Sequence, residues 1–192
     1  MLVDFVIPTY WRVEPLHCML ASLTSQTDGD WNATVVIDNI GEDEKVPYII
    51  SLIKVFDDDR ISYFITGKRH NNWGHTPREI GKQLSEADYI IMTGDDNYYT
   101  PNFVAELKKA SISKPGMVYW DMVHSHYDYQ YFNCKPAYNQ IDMGAFATRR
   151  DLAQQIPLNV SFAADGEYVR DFNTKFPQEQ KIKINKTLFV HN

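Results

Sequence analysis

Residues 76–103 read TPREIGKQLSEADYIIMTGDDNYYTPNF. The first twelve carry a helical pattern, and the apolar run from Asp88 to Thr93 that follows is a strand. That strand delivers the chain to Gly94 and then to two adjacent carboxylates, Asp95 and Asp96, with Asn97 and two tyrosines behind them. Adjacent like charges repel and favour protonation unless something positive lies beside them. Two readings are open for the pair. It is a polar turn that caps the following helix, or it holds a hard divalent cation that bridges to a diphosphate.

Working outward, the same helix–strand grammar repeats. LVDFVIP (2–8) is a short strand, and Leu16, Met19, Leu20 and Leu23 after it recur at helical spacing. ATVVID (33–38) and RISYFI (60–65) are further strands, with a helix over VPYIISLIKVF (46–56) between them. Strands alternating with helices in this way predict a mostly parallel sheet with helices covering its faces, an α/β fold. Ligands of open α/β sheets bind beyond the carboxyl ends of the strands. The chemistry is therefore sought at Thr9 and Tyr10, at Asp38 and Asn39, between Thr66 and Arg78, and at Asp95 to Asn97.

Past Thr100 the pattern becomes less regular. TPNFVAELKKA (100–110) predicts a helix with Thr100 as N-cap and Pro101 in its first position. GMVYWDMV (116–123) is strand-like, and HSHYDYQYFNCKPAY (124–138) is aromatic, bears histidines and shows no period. IDMGAFATR (141–149) reads as a strand, RDLAQQI (150–156) and ADGEYVRDFNTKF (164–176) as helices, and a basic alternating tail closes the chain. No repeat or linker interrupts 192 residues, so a single domain is expected, with 1–97 as a nucleotide-type half and 98–192 as a more irregular half.

The chain is 44% hydrophobic and 23% charged, with a net charge of −6, which argues against non-specific nucleic-acid or anionic-membrane binding. Phosphate recognition must then be local. The two cysteines, Cys18 and Cys134, form no zinc or disulfide pattern. No signal peptide or stretch of about 20 apolar residues is evident, so a soluble, cytoplasmic protein is expected.

Among the candidate residues, Thr9 and Tyr10 after Pro8, together with Asp38, offer an aromatic face and a carboxylate able to accept a ring N–H. Arg78 lies in the first turn of a helix, where the macrodipole disfavours a cation, which points to an anionic partner. Asp165, at the start of a helical pattern, reads as an N-cap or as a general base on a pocket rim. His124 and His126 lack a clear third metal ligand, and His191 ends the final strand-like tail.

Taken in order, FVIPTYWR, VVIDN, the block NWGHTPREIGKQLSEADYIIMTGDDNYYTPNF and ADGEYVRDF resemble the family 2 glycosyltransferases. Those are inverting enzymes of the GT-A fold that use nucleotide-diphosphate sugars. The resemblance implies that Pro8, Thr9, Tyr10 and Asp38 hold the base and that Arg78 faces the nucleotide or its phosphates. It further implies that Asp95 contacts the ribose or sugar, and that Asp96 binds Mn²⁺ or Mg²⁺ on the diphosphate. Asp165 falls where the family carries its catalytic carboxylate, and His191 where some GT-A enzymes place a late metal or diphosphate ligand. UDP is the expected nucleotide. Residues 98–192 become the acceptor-side half, with Trp120 and Asp121 as first choices for contacts to a glycan or other hydroxyl acceptor. The motif departs from Asp-x-Asp, because Asn97 stands in its third place. A nucleotidyltransferase would carry a glycine-rich phosphate loop after the first strand, and PTYWRVEP has no glycine; a non-catalytic glycan-binding protein on the same sheet is the other alternative.

Overall fold

The computed structural model describes residues 3–192. Leu2, expected as the first residue of the first strand, lies outside the described residues. Four strands form one side of the sheet: β1 (Val3–Thr9), β2 (Trp31–Ile37), β3 (Ile61–Ile65) and β4 (Tyr89–Met92). They pair in parallel in the order β3-β2-β1-β4. Every residue of β1 and β4 is buried, as apolar strands must be when helices cover both faces. The connecting helices are α1 (Val13–Thr24), α2 (Lys45–Val55) and α3 (His75–Leu84).

Helix α3 packs over β1 and β2 through Gly81. A Cβ at this glycine would lie 2.4 Å from Val6 Cγ1 and 3.0 Å from Val36 Cγ2. The missing side chain lets α3 approach the sheet, which fixes where Arg78 points.

The second half adds β5 (Tyr98–Tyr99), α4 (Phe103–Ala110), β6 (Met117–His124), β7 (Gln130–Phe132), β8 (Phe146–Arg149), α5 (Arg150–Ala153), α6 (Ala164–Lys175) and β9 (Lys181–His191). Strand β8 enters antiparallel between β4 and β6, β9 runs parallel to β6, and β5 closes the edge against β9. One sheet and one apolar core therefore run through both halves of the chain. No helix among the described residues is long and apolar enough to cross a membrane.

Several local expectations are corrected. The helix expected at Thr100 starts at Phe103 with Asn102 as N-cap, because Tyr98 and Tyr99 pair with Val190 and Phe189 and the chain must turn before coiling. The expected strand 141–149 begins only at Phe146; Asp142 accepts a hydrogen bond from Gly144 N at 2.8 Å and winds residues 143–145 into a 3-10 turn. The helix expected over 150–156 ends at Ala153.

An aromatic cluster supports the site from below. Tyr99 packs on Phe103 and Phe189 with ring centroids 4.7 and 5.1 Å apart, and Phe103 packs edge-on to Trp120 at 4.6 Å. Between Trp120 and Met122 the pairing of β6 with β9 shifts register, and beyond the shift His124 stands beside His191. Such irregularities re-aim the residues that follow them.

Candidate active site

The strand ends expected to carry chemistry converge on one cavity of about 450 Å³. It is lined by Pro8, Thr9, Tyr10, Asp38, Arg78, Asp95, Asp96 and His191, so the structure brings together all the residues expected to hold the donor. Two arginines on its wall, Arg12 and Arg69, were not singled out from the sequence.

Asp38 immediately follows β2 and is buried. Its carboxylate accepts hydrogen bonds from His70 N at 2.9 Å and Asn71 N at 3.2 Å, and from the Arg69 guanidinium. Arg69 also lies over the Tyr10 ring, 3.7 Å from its centroid. The loop that carries Arg69 turns through left-handed backbone at Asn71, Trp73 and Gly74. At Gly74 a Cβ would come within 2.9 Å of the Pro8 ring, so the loop lies directly on the end of β1.

Arg78 extends from the first turn of α3 and donates to Thr93 O at 2.9 Å and Trp73 O at 2.8 Å. Burial lowers its pKa, against the pull of Asp142, Asp95, Asp96 and Asp165.

Asp95 is buried and accepts a hydrogen bond from Thr9 Oγ1 at 2.8 Å. Burial raises its pKa to about 6, with the neighbouring Asp96 adding to the rise and Thr9 and Arg12 opposing it. Asp96 is more open and lies 2.7 Å from Arg12 Nη2. Asn97 does not face the cavity: its amide donates to Thr93 Oγ1 at 3.2 Å and accepts from Asn192 N at 3.3 Å.

A second cavity, of about 480 Å³, adjoins the first. Asp165 and Asp142 line it together with His124, His126, Tyr127 and Phe162, and His191 forms a wall of both cavities. Asp165 lies inside the first turn of α6 rather than at its N-cap, which is Ala163. Its Oδ1 accepts from Gly166 N at 2.6 Å. Burial raises the Asp165 pKa to about 6; the Gly166 hydrogen bond opposes the rise and Asp142 reinforces it. His191 stacks on His124 with centroids 3.9 Å apart and holds its Nε2 3.6 Å from Asp142 Oδ2.

Trp120 and Asp121 line neither cavity. Trp120 is wholly buried in the core. Asp121 is 3% exposed and is engaged by Lys183 Nζ at 2.7 Å, Tyr131 OH at 2.9 Å and Cys134 N at 2.9 Å. The exposed aromatic groups of this half are instead Tyr127, Tyr129, Tyr131, Tyr138 and Phe162.

Among the described residues, no group of three or more His, Cys, Asp or Glu side chains is arranged to hold a metal ion unaided. Asp95 and Asp96 nevertheless present adjacent hard oxygens to the first cavity. That donor set suits a cation which takes one or two carboxylates from the protein and its remaining ligands from substrate phosphates.

A parallel sheet continued by a mixed one, with paired carboxylates beyond β4 and two further carboxylates, Asp142 and Asp165, across a shared wall, defines an α/β protein with a two-chambered cleft at its strand ends. The family model described as glycosyl transferase family 2 matches residues 4–164, and the chain belongs to that family. A search of curated proteins finds no match. Among solved structures, Staphylococcus aureus TarS 1-349 is similar at a TM-score of 0.79 and 12% identity, covering 100% of this chain and 60% of that one. A second structure of it, in complex with UDP, gives a TM-score of 0.78 at 12% identity, covering 99% and 60%. The mannosyltransferase PcManGT from Pyrobaculum calidifontis, in complex with GDP-Man and Mn²⁺, gives 0.74 at 13% identity, covering 98% and 56%. The chain thus spans about three fifths of these structures. At such identities the likeness concerns the fold, which is GT-A.

Proposed function

We propose that the chain is an inverting, metal-assisted glycosyltransferase that moves a sugar from a nucleotide-diphosphate donor, UDP-linked in the first instance, to an acceptor hydroxyl. The observation that carries this reading is the shared wall: His191 separates a cavity holding Asp95 and Asp96 from one holding Asp165. Donor and acceptor sides then meet where a sugar would be handed over.

In this reading the base enters between Tyr10 and Asp38, which requires Arg69 to give up one or both of its present partners. Arg78, fixed by two backbone carbonyls, directs its charge at the diphosphate. When bound, a divalent cation held by Asp96 and Asp95 supplies charge neutralisation for the leaving diphosphate. Asp165 removes the acceptor hydroxyl proton as that oxygen attacks the anomeric carbon from the face opposite the diphosphate. A carboxyl with a pKa of about 6 is ionised at neutral pH yet more basic than an ordinary aspartate. Tyr127 and Phe162 offer apolar faces to an acceptor sugar, while Asp121 acts from beneath by holding Tyr131 and the backbone at Cys134.

The presence of UDP in a TarS structure and of GDP-Man with Mn²⁺ in that of PcManGT supports the donor class and the metal. A thermal-shift panel of UDP, GDP and their sugars with Mn²⁺ tests both, since a ligand of the native state raises the melting temperature. A metal-dependent shift with one nucleotide, absent in Asp96→Ala, is the expected result. A panel without any shift, or an unchanged shift in Asp96→Ala, removes the proposed site.

A further inference from the structure

We infer that Arg12 is a built-in counter-ion for the Asp95–Asp96 pair, and that it exchanges its place with the divalent cation and turns to the donor's diphosphate. The inference rests on the glycosyltransferase reading above. Arg12 precedes α1 as its N-cap, a place the helix macrodipole makes unfavourable for a cation. It is nonetheless held there, with Nη2 2.7 Å from Asp96 Oδ2 and Nη1 3.4 Å from Asp95 Oδ1.

The three arginines of the donor cavity divide their work. Arg69 is engaged by Asp38 and Tyr10, and Arg78 by the carbonyls of Thr93 and Trp73. Arg12 is the one held by the carboxylates assigned to the metal. Its two terminal nitrogens each reach a different carboxylate, so one guanidinium spans the pair.

The accessibility is equally unequal. The Arg12 side chain is 53% exposed, against 7% and 19% for the side chains of Asp95 and Asp96. The carboxylates are fixed in the wall while the guanidinium sits on a long arm at the mouth. A cation that takes the carboxylates therefore displaces Arg12 rather than the acids. The released guanidinium remains on the donor cavity's rim, where its planar fork suits a diphosphate. Arg12 would thus weaken binding of the bare metal and strengthen binding of the nucleotide, opposite signs from one side chain.

The test titrates the 192-residue chain with Mn²⁺ alone, reading free Mn²⁺ by electron paramagnetic resonance, and then with UDP at saturating Mn²⁺ by calorimetry. Arg12→Gln should bind Mn²⁺ about two- to fivefold more tightly than wild type, the range of a partly exposed ion pair. It should bind UDP about tenfold more weakly, the lower end for hydrogen bonds to a charged group. Arg12→Lys, which keeps the charge without the fork, should lie between on both axes and decides the matter if the Gln variant does not fold. Equal or weaker Mn²⁺ binding by Arg12→Gln, or unchanged UDP affinity, overturns the inference while leaving the donor site standing. If wild type binds neither Mn²⁺ nor any of the panel's nucleotides, the inference and the functional reading fall together.

Discussion

Replacing Asp165 by Asn should separate catalysis from stability, with opposite signs. The folded protein raises this carboxyl from 3.8 to about 6, so folding disfavours its ionised form. At about 1.4 kcal/mol per pKa unit the rise corresponds to about 3 kcal/mol. Because Asp165 is only half-buried, solvent screening reduces the cost to about 1–2 kcal/mol. Near pH 3 and below the carboxyl is protonated in both folded and unfolded chains and the cost vanishes. It grows as the pH rises towards 6 and is complete above that. An asparagine never ionises, and its Oδ1 can still accept from Gly166 N. Asp165→Asn should therefore match wild type near pH 3 and exceed it by about 1–2 kcal/mol at pH 8, a rise of roughly 2–8 °C in melting temperature for a chain of this size. Urea denaturation at both pH values reads the difference. The same variant should lose about 10²–10⁴ in kcat if Asp165 is the base, and wild-type kcat/KM should climb with pH through an apparent pKa near 6. A variant whose stability relative to wild type does not change with pH refutes the electrostatic argument. One that retains more than about a tenth of the activity refutes the catalytic role.

Gly81→Ala reverses the usual helix rule: alanine gains about 1 kcal/mol over glycine in a free helix, but here the added Cβ meets Val6 at 2.4 Å. A net loss of about 1–3 kcal/mol by chemical denaturation is expected, as for overpacked cores. Asp38→Ala strips the anchor from His70 and Asn71 and should cost about 1.5–3 kcal/mol, abolishing the UDP-dependent thermal shift. Phe162, 94% exposed on the rim of the second cavity, should leave stability within about 0.5 kcal/mol when changed to alanine. Its expected effect is a raised KM for acceptor with unchanged donor affinity, and an unchanged acceptor KM removes it from the site.

The first half of the fold was legible because its signals are local. Apolar runs of four to seven residues and helical spacing declare β1 to β4 and α1 to α3 without help from distant residues. The second half depends on partners far along the chain. Two tyrosines form a strand only because β9 arrives beside them, and Val104 N, at the start of α4, donates to Gln26 Oε1 at 3.0 Å, a side chain in the first quarter of the sequence. No periodicity announces such arrangements. The residues lining the first cavity followed from their place after strands, and Arg69 falls within the segment from Thr66 to Arg78. For Trp120 the nearly unbroken apolar run of β6 implies burial on both faces, which argues against a surface role for its tryptophan. In the sequence His124 and His126 are candidate metal ligands without a clear third partner. What makes them part of a cavity is the register shift between β6 and β9, which sequence spacing does not encode.

The amide in the third place of Asp95-Asp96-Asn97 acquires a physical reason. Asn97 donates to Thr93, the last residue before the turn, and accepts from the backbone of Asn192, next to His191. It ties the carboxylate turn to the strand end that carries the wall between the two cavities. An aspartate there would keep the acceptor but lose the donation to Thr93. It would also place a third negative charge beside two carboxylates that Arg12 already engages. In this chain the third position of the motif is therefore a clasp between the carboxylate turn and the end of β9.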